Sequence, residues 1–115
     1  MKHGDIVLIE HHDTSHSGVY KIRPALIISA NTYNDREEDR ILIPITSNIE
    51  RQCPDDVIIE CDDKEFTASG LKVSSAFRTG KIFTAHKSLI KRKLGKISVS
   101  RMATIGQTLR KIINL

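Results

Sequence analysis

Short apolar segments separated by polar stretches are the feature of this chain that most restricts its fold. Segments this short, rich in isoleucine, leucine and valine, are typical of strands, because helices need about 10–12 residues. The segments are Ile6–Ile9, Ala25–Ser29, Ile41–Ile45, Val57–Ile59, Val73–Phe77 and Ile82–Thr84. The pattern therefore predicts five or six strands before any clear helix, and a small, mainly β, curled barrel.

The C-terminal region differs from the rest and predicts a helix. Ser98 is a suitable N-cap, and the apolar residues Met102, Ile105, Leu109 and Ile112 then recur at steps of three and four. Gly106 weakens this helix by about 1 kcal/mol relative to Ala, although its missing side chain would permit close packing. His86–Leu94 is expected to form one or two helical turns that end at Gly95.

Polar stretches predict the connections between these elements. The stretch from His11 to Ile22 contains Gly18 and is expected to be a loop, and Asn34–Arg40 is expected to be an exposed connection. Pro44 lies near the end of the third segment and has no N–H to donate. The chain is therefore expected to leave the sheet or to bulge at Ile45-Thr46-Ser47.

Size and composition favour one compact domain over residues 1–115, with 39% hydrophobic and 4% aromatic residues. No apolar run approaches eighteen residues, and the N-terminal segment lacks the layout of a signal peptide, so we expect a cytoplasmic protein. In that compartment Cys53 and Cys61 are expected to be unpaired thiols, although their spacing would also allow a bridge between neighbouring strands. The absence of a CxxC pair excludes a zinc ribbon.

Charge is distributed unevenly along the chain, which carries 18 Lys and Arg and 14 Asp and Glu, for a net charge of +4. Every acid lies at or before Glu65, whereas residues 66–115 hold 11 of the basic residues. One face or end of the molecule is therefore expected to be strongly positive. Such a field attracts polyanions, most often nucleic acid, and the alternative is a solvated basic surface without a partner.

Arg23 and the Thr46-Ser47-Asn48 segment form the first candidate site. Arg23 precedes an apolar segment, so we expect its guanidinium at the mouth of a strand, where it can stabilise a phosphoryl transition state. The alternative is an ion pair with Asp13 or Glu10. The hydroxyls, the amide and the backbone N–H groups that follow Pro44 would form an anion cradle, and the alternative is an ordinary Ser/Thr turn.

Five histidines raise further possibilities. We interpret His11, His12 and His16 as part of a polar loop rather than a metal site, because adjacent residues of a strand point to opposite faces and no carboxylate completes a ligand set. His16 is a candidate general acid or base, since imidazoles titrate near neutrality, and His86 is a weaker candidate. Arg78 begins the acid-free region and is either a functional cation or a solvated surface residue.

Several stretches together resemble the MazF/PemK family of toxin–antitoxin ribonucleases. Gly4-Asp5-Ile6-Val7 is similar to the family's opening Gly-Asp/Glu-hydrophobic strand. Arg23-Pro24-Ala25-Leu26 and Pro44-Ile45-Thr46-Ser47 are similar to its Arg-Pro-x-hydrophobic and Pro-hydrophobic-Thr-Ser signatures. The later half of the chain is similar to the PemK-like members of the family. The similar residues are Gly70-Leu71-Lys72, Ser75, Arg78, Lys81, Thr84, Lys87-Ser88-Leu89-Ile90 and Leu94-Gly95-Lys96-Ile97-Ser98. The motifs follow the family's order over nearly the whole chain.

The resemblance implies an SH3-like barrel of the CcdB/MazF type with a C-terminal helix, usually in a homodimer. It implies cofactor-free, metal-independent cleavage of single-stranded mRNA at short sequences, and neutralisation by an acidic, partly disordered antitoxin. Arg78 matches a PemK-type catalytic arginine, and His16 falls in the loop where some members carry a catalytic histidine. We thus expect Arg23, Thr46, Arg78 and His16 to act in catalysis, and Ser47, Asn48 and Lys81 to bind RNA.

One position departs from the PemK pattern, in which an aspartate stands two positions after the arginine. Gly80 occupies that place, and no acid follows Glu65. If that aspartate is the general base, the chain lacks it, and catalysis depends on Arg23, Thr46 and His16. Two rivals stay open: a non-catalytic nucleic-acid-binding barrel, and a CcdB-like gyrase inhibitor, against which the Arg-Pro and Thr-Ser motifs argue.

Overall fold

A computed structural model of the chain describes residues 1–12, 20–51 and 53–115. The strands are β1 (Asp5–His12), β2 (Tyr20–Ile27), β3 (Asp39–Thr46), β4 (Val57–Ile59), β5 (Ser75–Phe77), β6 (Phe83–His86) and β7 (Ile90–Lys96). The α-helices are α1 (Asn31–Arg36), α2 (Phe66–Ser69) and α3 (Val99–Ile113), and single 3-10 turns lie at Ile49–Arg51 and Lys87–Leu89. The predicted mainly β fold with a C-terminal helix is confirmed.

The strands form one antiparallel sheet in the order β4-β5-β3-β2-β1-β7, with β6 added to β3 beside this path. In the described part of the chain the end strands β4 and β7 do not pair with each other. The sheet curls, but it is not a barrel closed by hydrogen bonds between strands.

Helix α2 packs against β7, one of the two end strands of the sheet. Two glycines make this approach possible, because a Cβ on Gly70 would lie 2.1 Å from the carbonyl oxygen of Leu94. A Cβ on Gly95 would lie 2.2 Å from the carbonyl oxygen of Ala68. At this end of the sheet the neighbour of β7 is thus a helix, and in the described residues no strand pair closes the predicted barrel.

The core lies on both faces of the sheet, because alternate residues of each central strand point to opposite sides. One cluster, against α3, contains Ile6, Leu26, Ile43, Ile45, Ile59, Phe77, Ile97 and Ile105. The other contains Val7, Ile9, Ala25, Ile27 and Leu42, packed against Phe83, Ala85, Leu89 and Ile90. Burial on both faces explains why these strands have continuous apolar runs instead of alternating ones.

The hairpin of β1 and β2 is longer than predicted. His11 pairs with Lys21 and His12 with Tyr20, so the expected loop from 11 to 22 is wrong at both ends, and residues 13–19 lie outside the described residues. Cross-strand backbone hydrogen bonds extend this hairpin beyond its apolar residues.

Two further segments differ from expectation. Most of His86–Leu94 belongs to β7 rather than to a helix, because pairing with β1 satisfies its backbone groups, and Gly95 lies inside that strand. The 34–40 connection begins within α1. The chain stays in the sheet past Pro44 and leaves it after Thr46, and Pro44 lies between the part of β3 paired with β6 and the part paired with β5.

Helix α3 begins as predicted. The Ser98 hydroxyl accepts a hydrogen bond from the Arg101 N–H at 3.1 Å, and Ile105 is fully buried. The thiols of Cys53 and Cys61 are exposed and free, as expected. In residues 1–12, 20–51 and 53–115, no helix has both the length and the apolar character needed to cross a membrane.

Candidate active site

A depression of about 330 Å³ opens on the sheet where β7, β1, β2 and β3 lie side by side. Its apolar lining consists of Leu8, Pro24, Ile45, Leu71, Val73 and Leu94. Its polar and cationic lining consists of Arg23, Thr46, Ser47, Lys72, Ser75 and Arg92, with Gly70 at the edge. The three cations are exposed, whereas most of the apolar residues are buried or half-buried. The site is therefore an apolar floor with a positive rim.

The register of β2 and β3 brings the two predicted motifs together. Ala25 pairs with Pro44, and Arg23 and Thr46 each lie two residues from this pair and line one pocket. Strands that pair lie about 4.7–4.9 Å apart, so the guanidinium and the hydroxyl can reach a common anion. The predicted association of Arg23 with Thr46-Ser47 in one pocket is thus present in the structure.

Arg23 lies within β2, opposite Ile9, and not at the beginning of a strand as expected. Its side chain is exposed and has no ion pair with the described residues. Of the two acids considered as partners, Glu10 is 3.7 Å from the Lys91 ammonium, and Asp13 lies outside the described residues. The guanidinium is therefore available to an incoming anion.

Thr46 ends β3, and its hydroxyl oxygen accepts a hydrogen bond from the Asn48 backbone N–H at 3.1 Å. This contact orients the oxygen and leaves the hydroxyl proton free to be donated. Ser47 also lines the pocket, whereas Asn48 is exposed beside it and does not line it. The structure thus contains the Ser/Thr turn, and the anion cradle stays a prediction.

Arg78 lies outside this pocket. Its Nε is 3.3 Å from a carboxylate oxygen of Asp56, whose side chain is only 2% exposed, and its terminal nitrogen is 3.6 Å from the Cys53 sulfur. Lys81 is exposed in the turn after Arg78 and does not line the pocket either. The structure therefore separates these two predicted site residues from Arg23 and Thr46.

The predicted proton-transfer residues also lie elsewhere. His16 is outside the described residues. The His86 Nδ1 accepts a hydrogen bond from the Ser88 N–H at 3.1 Å, and its Nε2 is 3.9 Å from Glu38. The described lining of the pocket contains no histidine and no carboxylate, and the described residues contain no group of three potential metal ligands.

Lys72 and Arg92 are pocket residues that the sequence did not identify. Lys72 lies in the Gly70-Leu71-Lys72 motif, and Arg92 lies in the segment predicted to be helical. Leu8 pairs with Pro24 on one side and with Arg92 on the other, so the register of β7 against β1 brings Arg92 to this site. The sequence around Arg92 has no alternating pattern typical of a strand, because Lys91, Arg92 and Lys93 are consecutive cations.

Ion pairing reduces the charge asymmetry seen in the sequence. Five of the 11 basic residues after position 65 lie beside acids of the first 65, at distances between 3.2 and 3.7 Å. The pairs are Arg78–Asp56, Lys87–Glu38, Lys91–Glu10, Lys93–Asp5 and Arg101–Asp63. Lys72 and Arg92 have no such partner in the described residues, so the pocket rim keeps its positive charge.

The profile of the family described as PemK-like, MazF-like toxin of type II toxin–antitoxin system matches residues 2–113. The chain belongs to this family. The resemblance in the Arg-Pro and Thr-Ser motifs is thereby confirmed at the level of the family. A comparison with curated protein sequences found no match.

Solved structures of the family share the fold. The chain is similar to Mycobacterium tuberculosis toxin MazF-mt6, with 17% identity, a TM-score of 0.76 and coverage of 96% of this chain and 97% of that one. MazF from Deinococcus radiodurans has 17% identity, a TM-score of 0.78 and coverage of 100% and 97%. A mycobacterial endoribonuclease in complex with its cognate antitoxin has 22% identity, a TM-score of 0.74 and coverage of 100% and 96%.

Proposed function

We propose that this chain is the endoribonuclease toxin of a type II toxin–antitoxin system and that it cleaves single-stranded RNA without a metal ion. The observation that carries the proposal is the pocket in which Arg23, Thr46 and Ser47 meet two further cations and no described acid. Such a pocket suits a polyanion with an apolar part, as the sugar and base of a nucleotide are. Membership of a toxin family supports the same function.

The proposed reaction is internal transesterification. The ribose 2′-hydroxyl attacks the neighbouring phosphorus, the bond to the 5′ oxygen breaks, and the products carry a 2′,3′-cyclic phosphate and a 5′-hydroxyl. Arg23 stabilises the additional negative charge on the phosphoryl oxygens, and the oriented Thr46 hydroxyl donates to one of them. Ser47 positions the RNA backbone, with Asn48 and Lys81 as further RNA contacts outside the pocket.

Two proton transfers are also needed, one from the nucleophile and one to the leaving oxygen. We assign the first to His16, because the described lining of the pocket has no imidazole or carboxylate. The leaving 5′ oxygen takes its proton from solvent water. We propose that Arg78 also acts on the phosphate, which requires its guanidinium to leave the Asp56 carboxylate.

A second candidate function is RNA binding without cleavage. It is favoured by the same lack of a carboxylate or imidazole among the described pocket residues, together with Gly80 at the position of the PemK-type aspartate. This function would use the same pocket, so an assay of products rather than of binding separates the two.

The decisive experiment compares the wild type with Arg23→Ala and with Arg110→Ala, which removes an exposed arginine distant in sequence from the pocket motifs. We expect purified wild type to produce 5′-hydroxyl ends from RNA in the presence of EDTA, and Arg23→Ala to be slower by about 10²–10³-fold. Arg110→Ala should match the wild type. Cleavage of a substrate with 2′-deoxyribose at the scissile position, or a requirement for divalent metal, would refute the mechanism.

The proposal extends to partners and location. We propose a cytoplasmic homodimer whose activity is blocked by an acidic antitoxin, since a positive pocket rim attracts acidic segments as well as RNA. A mycobacterial structure of this fold contains a cognate antitoxin. Co-expression of the chain with the product of a neighbouring gene, followed by mass measurement of the complex, tests both associations.

A further inference from the structure

We propose that Arg92 and Lys72 hold RNA phosphates next to the phosphate at Arg23. The inference rests on the proposed function, because it assumes that RNA occupies the same pocket. It adds two residues to the substrate site and predicts where most of the binding free energy comes from.

Arg92 is placed by the pairing of β7 with β1, in which it lies opposite Leu8. Leu8 in turn lies opposite Pro24, the neighbour of Arg23. Arg92 and Pro24 are therefore two strand spacings apart, roughly 10 Å between backbones. Both arginines line the same depression.

Lys72 lies in the segment that follows α2, which also lines the depression. Gly70 ends α2 with φ of 73°, a left-handed conformation, and the chain then passes over Leu94 of β7. This turn carries Lys72 to the rim on which Arg92 lies. Both side chains are exposed and lack an ion pair with the described residues, so neither has to break an internal contact to bind phosphate.

The composition of the floor makes these cations necessary. The described lining contains no Phe, Tyr or Trp, so bases cannot stack on aromatic rings as they do in many single-strand-binding sites. Affinity must therefore come chiefly from phosphate contacts, which release counterions and depend steeply on salt.

The experiment measures binding of a mixed-sequence single-stranded RNA pool with 2′-O-methyl groups at every position, which cannot undergo the proposed transesterification. Phosphate contacts are independent of sequence, so a pool is a sufficient probe. The dissociation constant is measured between about 50 and 200 mM salt. The variants are Arg92→Gln, Lys72→Gln, their double mutant and the conservative Arg92→Lys.

Lys91→Gln is the matched control, because Lys91 is adjacent on β7, lies beside Glu10 and does not line the pocket. Each lost single-strand phosphate contact should reduce the slope of log K against log salt by about 0.7. Over this fourfold range of salt, the dissociation constant of a variant that lacks one contact should therefore rise about 2.6-fold less than that of the wild type. We expect the salt slope to fall by about 0.7 in Arg92→Gln and in Lys72→Gln, and by twice this amount in the double mutant. The slope should not change in Arg92→Lys or Lys91→Gln.

Equal salt slopes in the wild type, Arg92→Gln and Lys91→Gln would overturn the inference. A parallel assay on natural RNA separates this failure from that of the proposed function. Cleavage by wild type with unchanged slopes refutes only the role of Arg92 and Lys72, whereas reduced slopes without any cleavage refute only the ribonuclease. Failure of the wild type to bind the pool refutes both.

Discussion

Thr46 shows how one hydroxyl can be prepared for a reaction before substrate arrives. Its oxygen accepts the Asn48 N–H at 3.1 Å, which limits rotation of the side chain, and Thr46 lines the same pocket as Arg23. A donor that is already oriented costs no reorganisation when charge develops on the phosphate. The hydroxyl should therefore contribute to the transition state more than to binding.

Replacement of Thr46 by valine keeps the shape of the side chain and removes the hydroxyl. It tests whether the hydroxyl contributes to the transition state more than to RNA binding. We expect the single-turnover cleavage rate to fall by about 10²–10³-fold. The affinity for the 2′-O-methyl RNA pool should change little, because the cations supply most of it. Thr46→Ser, which retains the donor, should keep most of the activity. Weaker binding with an unchanged cleavage rate in Thr46→Val would contradict this assignment.

The residues of the site differ in how far the sequence could predict them. Arg23 and Thr46 belong to short motifs in which neighbours along the chain carry the signal, so their association was predictable. Lys72 and Arg92 reach the pocket through the approach of Gly70 to β7 and through the pairing of β7 with β1. Contacts between distant segments leave no local pattern, so these two residues could be found only in the structure.

At the scale of elements, the junction of α2 with β7 depends on the absence of a side chain at Gly70. Alanine there would adopt a positive φ, which costs about 1–2 kcal/mol, and would also press on the Leu94 carbonyl. We expect Gly70→Ala to lower the free energy of unfolding by at least about 2 kcal/mol in urea titrations. Gly80→Ala, where a Cβ meets nothing within 4 Å, is the control and should leave stability nearly unchanged. Equal stability of the two variants would show that α2 does not need this close approach.

Gly106 of helix α3, in contrast to Gly70, is not needed for packing. The sequence predicts that its missing side chain permits close packing, but a Cβ at this position meets nothing within 4 Å. That expectation is wrong, because this part of the helix surface is not in close contact with the sheet. We expect Gly106→Ala to raise the free energy of unfolding by about 1 kcal/mol, the helix propensity difference. A destabilised Gly106→Ala would indicate that a contact forms there in solution.

Elements with a strong local signal were predictable, and those that rely on a partner were not. The apolar runs of β1 to β4 and the Ser98 cap of α3 are visible in the sequence. Strand β7 contains Lys91, Arg92 and Lys93, and its backbone is satisfied by β1 rather than by its own pattern. A polar edge strand of this kind is indistinguishable from a helical turn until its neighbour is known.

At the scale of the whole molecule, the acid-rich first part of the chain and the acid-free second part are joined by ion pairs. Arg101 of α3 is the most connected of these residues. Its Nε donates to Glu65, one terminal nitrogen is 3.2 Å from Asp63, and the other donates to the Ile58 carbonyl at 2.6 Å. This side chain ties the C-terminal helix to β4 and to the segment before α2, so it stabilises the arrangement of all three.

The pH dependence of stability should report this connection through Glu65. Burial alone would raise the pKa of Glu65, but hydrogen bonds from Ser98 and Arg101 and the charge of Arg101 outweigh it, so the pKa lies below its ordinary value of 4.5. A carboxyl with a lowered folded-state pKa stabilises the fold fully above its ordinary pKa. That contribution disappears as the pH falls through the lower, folded-state value.

Glu65→Gln should accordingly lower the free energy of unfolding at pH 7 by about 1.5–3 kcal/mol, the range for a hydrogen bond to a charged group. The difference from wild type should shrink as the pH falls from 4.5 through the lower, folded-state pKa, because the wild-type carboxyl is then protonated as well. Glu60→Gln, at an exposed position without an ion pair in the described residues, should show no such pH-dependent difference. Urea titrations between about pH 3 and pH 7 measure the free energy of unfolding of all three proteins. A difference between wild type and Glu65→Gln that stays constant over this range would exclude the Glu65–Arg101 charge pair as its source.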